Sequence, residues 1–257
     1  MSDFWGIGGF QREPEGLFSW QHITFVSALM LIMFVCAIVF GNKYRNSSDD
    51  KKRKIIIIAA ILIDSFELFK IIFMCFRSKD ATTALYELPL FLCSIQLITI
   101  PLAAFSKRKI REACLDFVMI FGLLGAIAGT YFAGNNYGSY PVWSFDNLIS
   151  GITHCLSGFT ALYIGISKMY SMKKKNILIV NLILIFFCSA AMIANYLLDY
   201  NYMFLIRGDG TPYDIFYNLV DGNKILYPLI VISLFFLYIL GFYIIFYIIS
   251  KKKCLKT

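Results

Sequence analysis

Charge is scarce in this chain. Asp, Glu, Lys and Arg make up 16% of its 257 residues, against about 25% in an ordinary soluble domain. Histidine is scarcer still, at two residues. No CxxC pair occurs, and the seven cysteines (36, 75, 93, 114, 155, 188 and 254) are odd in number. That excludes a disulfide framework and a structural zinc site of the usual spacing. GxSxG, HExxH, Walker and GxGxxG patterns are all missing, so the common soluble hydrolase, metalloprotease and nucleotide-binding signatures are out. No internal repeat or low-complexity linker breaks the chain. Its first 16 residues hold acids, glycines and one arginine ahead of an apolar run, which is not the pattern of a signal peptide.

What is present is apolar sequence in seven long stretches: Leu17–Phe40, Ile55–Phe76, Leu85–Phe105, Ala113–Phe132, Phe145–Ser167, Ile177–Leu198 and Leu226–Ser250. Each is about 20 residues or more, enough as a helix to cross ~30 Å of hydrocarbon. They show no strict period-2 alternation, so helices rather than barrel strands are expected. The fold predicted is all-α, a single seven-helix transmembrane domain over residues 1–257.

The net charge of +8 is placed in alternate gaps. Residues 43–54, 107–111, 168–175 and 251–256 hold 18 of the 24 basic residues. The positive-inside rule then predicts N-terminus out and C-terminus in. Basic loops facing an anionic leaflet account for the charge better than nucleic-acid binding does. The outer loop at 134–146 has no Lys or Arg and mixes Asn, Gly, Tyr140, Pro141 and Trp143, which suits the membrane interface. Gly122, Gly125 and Gly129 share the fourth stretch, where small residues allow close helix packing. Pro89 and Pro101 lie in the third and can kink it.

Ionisable residues in hydrocarbon are costly and usually face a bundle interior or cavity. The second stretch holds Asp64, Glu67 and Lys70. Glu67 and Lys70, three apart on one face, are either an internally neutralised structural pair or the lining of a polar cavity. Counting from the predicted helix ends puts Glu67, Cys93 and His154 all about 12–13 Å below the outer surface. Gln96 lies one turn from Cys93 on the same side, Asn195 approaches the layer from within, and His22 sits higher. A thiol with a free pKa of ~8.5 needs a base to become a nucleophile. Cys93, His154 and Glu67 or Gln96 offer nucleophile, base and orienting group. The bland alternatives are packing for Cys93 and a satisfied core donor for His154. Cys155 faces elsewhere and reads as packing.

At these residues the chain resembles the YwaF-type integral membrane family, which is related to an animal transmembrane phospholipid acyltransferase. The most specific element is Leu88-Pro89-Leu90-Phe91-Leu92-Cys93-Ser94-Ile95, similar to the family's LPLxLCSI. Phe121–Ala126, His154 in the fifth stretch, Asp199 with Asn201–Leu205, and His22 also match in order. Relatives commonly carry Gln or His where this chain has Phe91. The resemblance implies Cys93 as an acyl-carrying nucleophile with His154 as general base. Glu67, Gln96 and His22 are supporting residues, and Asn195, Asn201 and Tyr202 are candidates for substrate binding. It implies a membrane phospholipid as substrate, a bilayer setting in the plasma membrane, and no metal or diffusible cofactor. The competing expectation is a small-solute transporter or lipid-binding protein without catalysis, its pathway lined by Asp64, Glu67, Lys70, His154 and Asn195. A seven-helix receptor fits less well, because the inner loops are short.

Overall fold

A computed structural model describes residues 2–170 and 172–254. Among these the chain is all-α, with no strand. Its long helices are α1 (Trp20–Tyr44), α2 (Asp49–Ser78), α4 (Arg108–Tyr131), α5 (Phe145–Ile166), α6 (Lys174–Leu198) and α7 (Leu226–Cys254), with the short α3 (Gln96–Phe105) between α2 and α4. The chain falls into two compact units, residues 1–89 with 93–170, and residues 90–92 with 171–257. Lys256, one of the basic tail residues, lies outside the described residues.

Among the described residues, five helices are long and apolar enough to cross a membrane: α1, α4, α5, α6 and α7. The stretch 55–76 is helical as expected, and its helix begins earlier, at Asp49. Asp64, Glu67 and Lys70 within it set α2 apart from those five. The expectation of one continuous helix over Leu85–Phe105 needs correction. Ala81–Tyr86 is a 3₁₀ helix capped by Asp80, whose carboxylate accepts from Thr82 N at 2.8 Å. Residues 87–95 are turns and bends, and α-helix starts only at Gln96. The reason is Pro89, which has no N–H to donate and biases Leu88 away from the α region. Cys93 therefore sits on a turn, with Gln96 N donating to its carbonyl at 3.3 Å, rather than inside a regular helix.

In the first unit the burial pattern shows which faces pack. α1 buries His22, Val26, Met30, Met33, Ala37 and Gly41, one stripe at helical spacing, and exposes Leu31, Ile32, Val35, Ile38 and Val39. Apolar residues left outside on such a helix face lipid. α4 is instead mostly buried, over 67% of its apolar window. It packs on α5 through small residues: Ser157 Oγ donates to Gly122 O at 3.4 Å, and a Cβ on Gly122 would meet Ala161 Cβ at 2.9 Å. α5 begins at Ser144, whose hydroxyl accepts from Asn147 N. Near that start, Arg77 holds Asp146 with two hydrogen bonds of 2.6 and 2.7 Å while donating to Trp5 O. The guanidinium also lies over the rings of Phe10, Phe73 and Tyr140. This buried pair ties α2, α5 and the N-terminal segment together at the end of the unit where α4 finishes and α5 begins.

The second unit contains α6, α7 and the segment between them. Asn195 near the end of α6 acts as a backbone substitute: its Nδ2 donates to Tyr202 O at 3.0 Å and its Oδ1 accepts from Tyr202 N at 2.6 Å. Asn201 then donates to Arg207 O and Asp209 Oδ2, both at 2.8 Å, and accepts from Ile206 N. These bonds hold Met203 and Phe204 at positive φ of 56°, an uncommon state for residues with a side chain. Phe91 belongs to this unit too, its ring against Tyr200, Tyr202 and Phe204 at 6.2, 5.2 and 6.0 Å.

Candidate active site

Cys93 and His154 come together. The Cys93 thiol and the His154 imidazole are close enough to interact electrostatically. Both residues are half-buried. Cys93 reaches the site from the turn preceding α3, His154 from three turns inside α5.

The face of α4 makes room for both. A Cβ on Gly125 would lie 3.1 Å from Cys93 Cβ, and a Cβ on Gly129 would fall on the His154 ring at its Nε2 edge. Residues 125 and 129 are one turn apart on the same helix face. Of the three glycines expected to serve packing, Gly122 does so against α5. Gly125 and Gly129 are the seat of the Cys–His pair.

The imidazole is fixed by main chain. His154 Nδ1 lies 2.7 Å from Ser150 O, four residues earlier in α5. A carbonyl only accepts, so Nδ1 carries a proton, and in the neutral imidazole the lone pair is on Nε2. Nε2 is the edge that faces Gly129, one turn along α4 from Gly125 and the cysteine. Ser150 Oγ, 3.5 Å from Nδ1, accepts from Asn136 Nδ2 at 3.3 Å, linking the imidazole to the short helix Gly134–Ser139. A thiol next to a positioned imidazole lone pair is the arrangement that generates a thiolate nucleophile.

The other residues singled out in the sequence have different neighbours. Glu67 pairs with Lys70 at 2.7 Å, as its spacing predicted, and Lys70 also pairs with Glu87 at 2.9 Å. Glu67 thus touches Lys70 while its charge still reaches the His154 imidazole; the orienting contact belongs to Ser150 O. Gln96 is fully buried, and its Oε1 accepts from Thr99 Oγ1 at 3.1 Å. His22 is fully buried as well. Its Nδ1 accepts from Phe18 N at 3.0 Å and its Nε2 meets Thr130 O at 3.0 Å, so both ring nitrogens are engaged within the protein. Asn195 and Asn201 use their amides to build the loop of the second unit, and Tyr202 is fully buried there.

The sequence reading missed Ser150, Glu87, Thr99 and the seating role of Gly125 and Gly129. Spacing carried a signal for two of these: 125 and 129 are four apart, and 150 precedes 154 by four. Among the described residues no cluster of three or more His, Cys, Asp or Glu side chains is arranged to hold a metal.

No curated protein and no solved structure matches the sequence. The TMEM164 family model matches residues 17–250, which covers α1 to α6, all but the last four residues of α7, and the site just described. The chain is a multi-pass membrane protein with five helices fit to span a bilayer, and it belongs to the TMEM164 family.

Proposed function

We propose that this protein is a cysteine-dependent phospholipid acyltransferase working near the outer leaflet of the cell membrane. Its seven apolar stretches all lie in the bilayer, N-terminus out and C-terminus in. α2 is shielded by its ion pairs, and α3 with the turns before it forms a broken third span. Non-helical backbone at membrane depth is tolerated where protein surrounds it or water reaches it, which suits a reaction site.

Cys93 attacks the carbonyl of a phospholipid ester while His154 Nε2 takes the thiol proton. The ester C–O bond breaks, and the departing oxygen takes that proton from Nε2. A thioester remains on Cys93. An acceptor hydroxyl then gives its proton to Nε2 and attacks the thioester, releasing the thiolate. No metal or diffusible cofactor enters. The acyl chain is already in lipid, so only its ester has to reach the sulfur.

The observation that carries this reading is the 2.7 Å contact of His154 Nδ1 with Ser150 O, in a histidine that lies next to Cys93. That contact commits Nδ1–H to the carbonyl, which leaves Nε2 as the base. A solute pathway would instead need ionic and amide groups available to a passing solute. Here Lys70 is held between Glu67 and Glu87, and Asn195 is bonded twice to the Tyr202 backbone.

The test is lipid analysis of a deletion strain complemented with wild type or with Cys93→Ser. Wild type should restore a defined redistribution of acyl chains, and Cys93→Ser should insert normally but restore none of it. Equal restoration by the serine variant removes the thioester route.

A further inference from the structure

An acyl-transfer site has to stabilise the negative oxygen that forms when sulfur adds to the carbonyl. One buried donor in the first unit is unclaimed. Gln96 has no solvent exposure, yet its Nε2 has no hydrogen-bond partner among the described residues. A buried amide donor left unpaired is destabilising, so its presence calls for a reason.

Gln96 is the first residue of α3, and its N–H closes the turn on Cys93 O at 3.3 Å. Helical side chains lean toward the preceding turn; for Gln96 that turn carries Cys93. The other end of the carboxamide is tethered the opposite way. Thr99, three residues further along α3, is bonded to Gln96 Oε1 at 3.1 Å and to Ile95 O at 3.2 Å. The carboxamide oxygen is thus claimed by Thr99, while the Nε2–H donors are claimed by no described residue.

We propose that the Gln96 side-chain amide donates the hydrogen bond that stabilises the oxyanion during acyl transfer at Cys93, with Thr99 as the residue that positions it. This deepens the acyltransferase reading and rests on it. As the Cys93 thiolate adds to the carbonyl carbon, the C=O π pair moves to oxygen, and Nε2–H bonds to that oxygen. When the pair returns to re-form C=O, the ester C–O bond breaks and His154 Nε2–H protonates the leaving oxygen.

The experiment compares acylation with alkylation on the purified full-length protein in detergent micelles. Acylation is read with the p-nitrophenyl ester of a long-chain fatty acid, as nitrophenolate release and a hydroxylamine-sensitive adduct on Cys93. Alkylation by iodoacetamide uses the same thiolate and base but forms no oxyanion. Gln96→Met keeps length and removes the donor. It should slow acylation about 10²–10³-fold, leave the alkylation rate within a factor of about two, and leave the melting temperature unchanged or higher, because an unpaired polar group has been replaced by an apolar one. Thr99→Val should give a smaller loss, recovered by Thr99→Ser. Equal acylation by Gln96→Met and wild type overturns the inference and leaves the acyltransferase reading in place. Parallel loss of acylation, alkylation and melting temperature makes Gln96 structural and also overturns it. Wild-type protein that forms no Cys93 adduct removes both.

Discussion

The two histidines of this chain are built in opposite senses. His22 accepts at Nδ1 from Phe18 N and so carries its proton on Nε2, which donates to Thr130 O. His154 donates from Nδ1 to Ser150 O and so, in the neutral imidazole, keeps Nε2 unprotonated. The first uses its whole ring to fasten the start of α1 to the end of α4. The second uses half of its ring to hold itself still and offers the other half to a thiol. Both lie in the first unit, and Gly129 and Thr130, adjacent in α4, receive one ring each. A histidine's place in a protein is thus decided by which nitrogen the backbone claims, and proximity to a cavity or a cysteine is secondary.

The largest expected effect breaks the pair at His154. His154→Ala should lower Cys93 acylation about 10²–10⁴-fold, the usual contribution of a positioned base, with little change in thermal unfolding. Gly129→Ala should match it while keeping every functional group, since the new methyl would occupy the imidazole's place, and should lower stability by ~1–3 kcal/mol through overpacking. Acylation rates within threefold of wild type in both variants would show that the base is not His154.

His22→Ala should do the reverse. Phe18 N and Thr130 O lose their partner inside the protein, a cost of ~1–3 kcal/mol, read as a fall in melting temperature, while acylation per folded molecule stays near wild type. Loss of rate with an unchanged melt would place His22 in the chemistry and dissolve the contrast.

The smallest effect sets the floor for the others. Asp49, the first residue of α2 and ahead of the apolar stretch, is held below the usual carboxylate range by hydrogen bonds of 2.7 and 3.0 Å from Arg111. A lowered folded pKa means the contribution is complete above the unfolded value of ~3.9 and disappears as pH falls through the folded value. The Asp49 side chain is 61% exposed, so the contribution is at most ~1 kcal/mol and screened by salt. Melting curves of wild type and Arg111→Gln should therefore differ slightly at pH 6 and converge near pH 3. Persistence of the gap at low pH would assign it to Arg111 packing instead.

Most of the helical pattern was legible because a lipid-facing helix announces itself in side-chain polarity alone. α1, α5, α6 and α7 fall within a few residues of the apolar stretches. The stretch over 85–105 misled for a related reason. Hydropathy reports transfer of side chains, and those of 85–95 are apolar, whereas the backbone there is governed by Pro89 and the Asp80 cap. The depth count pointed to Cys93 and His154, but for Cys93 it ran along a helix from Leu85 that is not there, so it named the pair without giving the backbone that presents the cysteine. Glu67 and Gln96 were reasonable orienting groups by depth, but the orienting atom is Ser150 O, which has no side-chain signature. Asn195 and Asn201 drew notice as polar residues in a greasy chain; their amides turn out to shape the loop that carries them.

Because a main-chain carbonyl sets the tautomer of His154, the control of the base is hidden from ordinary mutagenesis: every amino acid placed at 150 brings the same oxygen. A scan of that position would report only on the hydroxyl's modest link to Asn136. Exchanging the 150–151 amide for an ester by semisynthesis, which weakens that oxygen as an acceptor while leaving all side chains in place, is the single edit that would reach it.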